Sequence, residues 1–421
     1  MIRFFLFNIV ILSFIICNVD RSIIYSTGTY NPNEGYTISG DFSVANKFYI
    51  PNNDYGMEYF KFNLSKQSDV ANVIFQIHED ENNKPGNIIG SWDFSISSDS
   101  AREYSIYAFQ DCIDFLANQY YWLSLKAADA QTSAIWFYSE DNSFTYSYSN
   151  DNQTDWSIGE PGYSGNVKIY AEGYYYPEPV LGDMNQDFNL TIQDIIIMAN
   201  HILENTDISN EVLFNADINS DFQLDIIDII LAIQIILNPK NMPLFELVDV
   251  NPNSTFFNQS IGPESFPNEV SCYYFGKQGW ALCRNRFGIL NRLYEELISE
   301  GITDVNFMGI NGYQYIDDSY SCMICDNLEA CTNCEQVNTI PWAQDYDDGL
   351  NCQNENESDC EALDEVGDVW DLWDVSLRDF IILDKQGHLI VRINLTYTNL
   401  DPESTCGENY QTIKNLILNA R

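Results

Sequence analysis

The chain has little positive charge. Of its 421 residues, 19 are lysine or arginine against 62 aspartates and glutamates, a formal charge of −43. Phosphates would be repelled over most of such a surface, which excludes a general nucleic-acid binder. A cation-rich exterior suits it better, because acidic surfaces stay soluble there. Long apolar runs are also missing, apart from residues 1–17, where Arg3 precedes an apolar stretch of about a dozen residues against the 20 or so that a spanning helix needs. That stretch reads as a secretory signal within residues 1–20 and predicts export, to the exterior or the cell surface. Cysteine is nearly absent from the first 270 residues: after Cys17 there is only Cys112, and nine follow later. Ten cysteines beyond the signal, an even number in an oxidising compartment, predict disulfides. No carboxylate pair stands at a recognisable glycosidase spacing, and His78 is a lone histidine that reads as structural. Aromatic residues are not scarce; at 14% they exclude a disordered acidic chain.

Residues 182–237 carry one acidic pattern twice. The first copy is Asp183, Asn185, Asp187, Asn189, Thr191 and Asp194; the second is Asp217, Asn219, Asp221, Gln223, Asp225 and Asp228. Both place oxygen-bearing side chains at positions 1, 3, 5, 9 and 12 of a loop and leave position 7 free to use its backbone carbonyl. An EF-hand-like loop offers oxygens to a hard cation at that spacing. Each loop leads into an apolar helical stretch, 195–203 and 229–237. A unit this small cannot bury its apolar face alone, so the two copies should pack together.

The tandem resembles a dockerin domain. The resemblance implies two calcium ions held by these twelve residues, and docking onto a cohesin-like partner or onto a surface of the same polypeptide. Position 6, usually glycine because the turn needs a left-handed backbone, is Phe188 and Phe222 here. Keeping that conformation would cost about 1–2 kcal/mol at each.

From 21 to 175, short runs alternate apolar and polar residues (73–77, 121–125, 134–138 and 167–170), separated by turn clusters at 82–87 and 159–165. That argues for an all-β sandwich, and the stretch 73–125 resembles the jelly-roll sandwiches of secreted surface proteins. The many tyrosines and tryptophans could present a glycan-stacking face, but core and ordinary strand surface account for them. Residues 176–180 form a proline-stiffened linker.

Beyond residue 240 the pattern becomes α/β. Strand candidates at 270–275 and 304–309 flank a helical spacing of Phe287, Leu290, Leu293, Leu297 and Ile298. A hairpin at 380–393 turns on 384–387, and a final helix is expected over 412–418. Strand–helix–strand, hairpin, helix is a thioredoxin-like order. On Phe275, Cys283-Arg284, residues 338–341, residues 368–370, residues 379–384 and residues 387–390, the segment resembles the thioredoxin-like N-terminal domain of selenoprotein P. The resemblance makes Pro341 the family's cis-proline beside a redox centre and Cys283 the resolving cysteine. The nucleophile, three residues earlier at a helix N-terminus, falls on Trp280, which cannot form a mixed disulfide. Three readings stay open: a retired redox fold kept as a scaffold; Cys283 working with Cys272 or a cysteine of the insertion; or a UGA codon at 280, encoding selenocysteine and rendered as tryptophan.

The insertion, about 320–365, holds Cys322, Cys325, Cys331 and Cys334, then Cys352 and Cys360. Paired C-x2-C motifs can build a tetrahedral zinc site. The spacing between the pairs is short for zinc and export favours oxidation, so disulfides are expected, with Cys406 able to join them. Asp345, Asp347 and Asp348 read as a solvated acidic loop. The chain therefore divides into a signal (1–20), a β-sandwich (21–175), a linker (176–180), a dockerin-like calcium module (181–240) and a thioredoxin-like domain (241–421). It reads as a secreted interaction or display protein. The alternatives are an extracellular thiol or selenol oxidoreductase and an accessory of polysaccharide degradation tethered by its dockerin.

Overall fold

The computed structural model describes residues 22–421 apart from 141–143, 160–161, 163, 205–207, 329, 332–333, 335 and 348–366. The expected signal, Cys17, Asp348, Cys352 and Cys360 lie outside the described residues.

Strands in two antiparallel sheets make up the N-terminal part. One sheet runs Ser22–Ser26, Val167–Gly173, Tyr55–Lys66, Ser133–Ser139, Tyr30–Ser39, with Arg102–Tyr107 and Asp114–Phe115 also pairing onto Tyr55–Lys66. The other runs Ser157–Ile158, Tyr146–Ser149, Ser43–Ile50, Gln119–Ala127, Asn72–Glu81, Lys84–Ser95. Alternate residues of both sheets, among them Phe60, Phe62, Phe75, Leu123 and Trp136, enter one shared core. The turn cluster at 82–87 is shorter than its composition suggests. Glu81 pairs with Lys84, and only Asn82 and Asn83 turn, both at positive φ. Asparagine tolerates that backbone, which a two-residue hairpin requires. His78 is structural as expected: its ring nitrogens meet Gly86 O at 3.1 Å and Ser124 Oγ at 2.8 Å inside the sheet.

Three helices follow: α1 (Ile192–Glu204), α2 (Asn210–Ala216) and α3 (Ile226–Leu237). The expected helical stretches are α1 and α3, each beginning three residues earlier than its apolar run. Asp225 caps α3 and forms a capping box with Asp228. Helix α2, started by Ser209 Oγ accepting from Val212 N, is too short to show an apolar period in sequence. Met198, Val212, Ala216, Ile229 and Ala232 form the small core beneath the three.

The C-terminal sheet has the order Trp342–Gln344, Val305–Asn311, Val270–Gly276, Asp379–Leu383, Leu389–Asn394. Its first three strands are parallel and the last two antiparallel. Helices α4 (Ala281–Ser299) and α6 (Glu408–Asn419) cover one face with Phe287, Leu290, Ile413 and Ile417. Helix α5 (Asp368–Trp373) covers the other with Trp370 and Trp373. Strand–helix–strand, hairpin and helix thus occur in the expected order, with α6 starting four residues before the expected 412.

Three sequence expectations need correction. No described peptide bond is cis, so Pro341 sits in a trans linkage. There the Ile340 N–H donates to Asn291 Oδ1 and the Ile340 carbonyl accepts from Asn251 Nδ2, which fixes the chain at the start of the edge strand. Within the insertion Cys322 bonds Cys331 and Cys325 bonds Cys334, but Cys406 does not join them; it bonds Cys112 of the N-terminal sheets, with a Cα–Cα distance of 5.2 Å. Asp345 is buried rather than solvated, because its carboxylate caps α5 by accepting from the Val369 and Trp370 N–H groups.

Candidate functional site

The two acidic loops fold alike, residue for residue. In the first, Asp183 accepts from the N–H groups of Gln186, Asp187 and Phe188, and Asp194 from those of Met184, Asn185 and Thr191. In the second, Asp217 accepts from Asp221 and Phe222, and Asp228 from Ile218, Asn219 and Asp225. Positions 1 and 12 therefore gather the backbone of each loop inward. The left-handed conformation at position 6 is kept despite its side chain: Phe188 has φ 66° and Phe222 φ 68°.

The donor set suits a hard cation. Burial raises the Asp183 carboxyl above its usual range; the Phe188 N–H partly opposes this, and repulsion from Asp194 and Asp187 adds to it. A divalent cation among these groups would relieve that repulsion. Among the described residues no three His, Cys, Asp or Glu side chains close on one point. Carboxylates alone thus do not make the site, and Asn185, Thr191, Asn219 and backbone carbonyls, those of Asn189 and Gln223 among them, would supply the remaining oxygens, a mixed set typical of calcium.

A second group of residues surrounds the start of α4. Trp280 is the N-cap residue and 47% exposed, while Cys283, one turn on, is fully buried. The Lys277 ammonium lies 4.8 Å from the Trp280 ring centre and the Arg378 guanidinium 5.7 Å from it. Arg378 also brings Nη1 to 3.8 Å from the Cys283 sulfur, and its Nε donates to Thr396. Pro341 passes close to this loop: the next residue, Trp342, donates its indole N–H to Gln278 Oε1 at 3.2 Å. Cys272, the partner considered for Cys283, is buried in the central strand, where desolvation holds its thiol well above the usual range. Both thiols are free, and the four described insertion cysteines bond one another.

Residues 181–242 match the family model of the dockerin type I domain. No curated protein matches the chain. Among solved structures, similarity extends to the thioredoxin domain of a thiol-disulfide oxidoreductase from Bacteroides vulgatus (12% identity, 42% of this chain and 96% of that one, TM-score 0.27). It extends also to thioredoxin peroxidase I of Plasmodium yoelii (16%, 42% and 87%, 0.28) and to the reduced 2-Cys peroxiredoxin of Plasmodium vivax (14%, 37% and 70%, 0.25). At these values the C-terminal sheet is characterised by its own strand order.

The dockerin match covers both loops and all three short helices. Dockerin domains bind calcium and dock onto cohesin partners. Two features of this dockerin have no signature in the sequence. Phe188 packs against the core of the C-terminal sheet, and Asn419 at the end of α6 hydrogen-bonds the first loop. Near Trp280, the scarcity of basic residues was the one signal that could have drawn attention to Lys277 and Arg378.

Proposed function

We propose that this is a secreted docking protein of three domains, bounded at 21–175, 181–240 and 241–421, with a jelly-roll-like sandwich first and a thioredoxin-like domain last. Its dockerin would be folded by two calcium ions, held by Asp183, Asn185, Asp187, Asn189, Thr191 and Asp194 and by Asp217, Asn219, Asp221, Gln223, Asp225 and Asp228. The observation that carries the reading is the duplicated loop geometry inside the matched dockerin segment. Calcium supplies the positive charge that lets converging carboxylates stay ionised, and the chain's own N–H groups orient those carboxylates. Helices α1 and α3 leave Ile192, Ile196, Leu203, Ile226, Ile230 and Leu237 exposed, an apolar face of the kind a cohesin-like partner would cover.

In this reading the thioredoxin-like domain is a scaffold. Trp280 occupies the position that needs a nucleophile, and the Cys283 sulfur is buried. One observation favours the alternative, an extracellular thiol or selenol oxidoreductase: Arg378 brings its guanidinium to 3.8 Å from the Cys283 sulfur.

Calorimetric titration with calcium, paired with thermal melting before and after chelation, tests the docking reading. Two bound ions and a clear loss of melting temperature on chelation are expected, since ligand at a hundredfold over its Kd stabilises by about 2.7 kcal/mol. No heat and an unchanged melt would sink it.

A further inference from the structure

We propose that the two calcium loops have divided their work: the first is committed to the chain's own C-terminal domain, clamped on the end of α6, and the second alone is left for a partner. Filling the first loop with calcium then locks the C-terminal domain to the dockerin. The inference rests on the calcium reading above and deepens it.

The two copies provide an internal control. Phe188 and Phe222 share position 6 and nearly the same left-handed backbone, so they carry the same strain of about 1–2 kcal/mol. Their side chains have opposite fates. Phe222 is 89% exposed, whereas Phe188 packs on the hydrophobic cluster that holds Ile413, Leu416, Ile417 and Ala420 of the α6 segment. Partial burial of the phenyl ring offsets some of the backbone strain at position 188, and nothing comparable happens at 222.

Hydrogen bonds repeat the asymmetry. Asn189 Nδ2 donates to the Asn419 carbonyl at 3.0 Å, and Asn419 Nδ2 donates to the Asp187 carbonyl at 3.0 Å. These are positions 7 and 5 of the first loop, both ligand positions, gripped reciprocally by one residue of α6. Both loops make the same internal bonds, the Asn189 and Gln223 N–H groups donating to Asp187 and Asp221 and Asn185 and Asn219 to the other carboxylate oxygen. The pair of bonds to Asn419 is thus an addition that the first loop carries and for which the second, among the described residues, has no counterpart. A cation that fixes residues 187 and 189 also fixes the partners of Asn419, so loop filling and α6 docking share one free energy and each must favour the other.

Hydrogen exchange of the 408–419 amides, followed alongside calcium calorimetry, tests this on the full chain. In the wild type, chelation is expected to speed exchange across α6 by about tenfold or more, within the usual range of coupling between sites. Asp187→Ala in saturating calcium should show the same fast exchange, and Asp221→Ala should not. Because Asp187→Ala could unfold the whole module, Phe188→Gly is the second variant. It relieves the strain and removes the docking ring while leaving the Asn419 bonds, so both calcium heats should survive while the response of α6 to calcium weakens; Phe222→Gly should leave that response intact. In the wild type, two calcium heats with an unresponsive α6, or equal effects of Asp187→Ala and Asp221→Ala, would overturn the inference alone. No calcium heat in the wild type would overturn the calcium reading and the inference with it.

Discussion

If the C-terminal domain is thioredoxin-like as proposed, Trp280 would take the position where a thiol–disulfide cycle needs sulfur or selenium, and two cations flank its ring. Lys277 and Arg378 lie 4.8 and 5.7 Å from its centre. Cation–π contacts at such distances contribute about 0.5–1 kcal/mol each where solvent reaches them. Mass spectrometry of the native-source 278–284 peptide should find tryptophan at 280. Cys283 should resist alkylation in the folded protein and react fully once it is unfolded, because its sulfur is buried. Selenium at 280, or rapid alkylation of folded protein, would make the domain an oxidoreductase instead. In the sequence, only the resemblance to the selenoprotein P domain singled out Trp280. Arg378 was not singled out, since it comes from a loop 95 positions away and meets Cys283 only once the sheet is built.

Asp345 shows how one carboxylate can hold an element. It accepts from the Tyr346, Val369 and Trp370 N–H groups, so it satisfies the first turn of α5 from inside the protein. Burial pushes its carboxyl from 3.8 to about 6, the three N–H groups opposing and Asp368 adding to the shift. A folded pKa above the unfolded one means that the native state binds the proton more tightly. The stabilisation is therefore complete below about pH 4 and is lost as pH rises through 6, a loss of about 3 kcal/mol. Denaturant melts of wild type and Asp345→Asn between pH 4 and 7 should show the variant gaining on the wild type by roughly that amount; a constant difference would refute the assignment. Sequence reading placed Asp345 in a solvated loop because three acidic residues stand close together there, and only the fold shows that a helix begins above one of them. Elements with a strong period, such as α1, α3, α4 and the 379–394 hairpin, were legible in the sequence. The one-residue cap and the seven-residue α2 were not.

At the scale of the molecule, α6 joins three parts of the chain. Its C-terminal end holds the first acidic loop through Asn419. Its N-terminal approach holds the N-terminal sheets: Glu58 accepts from Ser404 Oγ at 2.6 Å, and Asn409 accepts from the Tyr175 N–H at 2.6 Å while donating to the Gly173 carbonyl. Cys112–Cys406 closes the same junction across 294 residues. Sequence arithmetic required an even number of bonded cysteines but left the pairing open, and a bridge between the two ends of the chain has no local signature. The bridge should stabilise the assembly chiefly by restricting the unfolded chain, by about 4 kcal/mol or more because the loop it closes is long. A non-reduced tryptic digest should yield one cross-linked species containing Cys112 and Cys406 that splits on reduction. The double variant Cys112→Ser/Cys406→Ser should unfold at lower temperature while keeping its calcium heats, because neither cysteine touches the loops. A lone Cys112 peptide in the non-reduced digest, or an unchanged melt in the double variant, would show that hydrogen bonds and packing along α6 hold this junction without the disulfide.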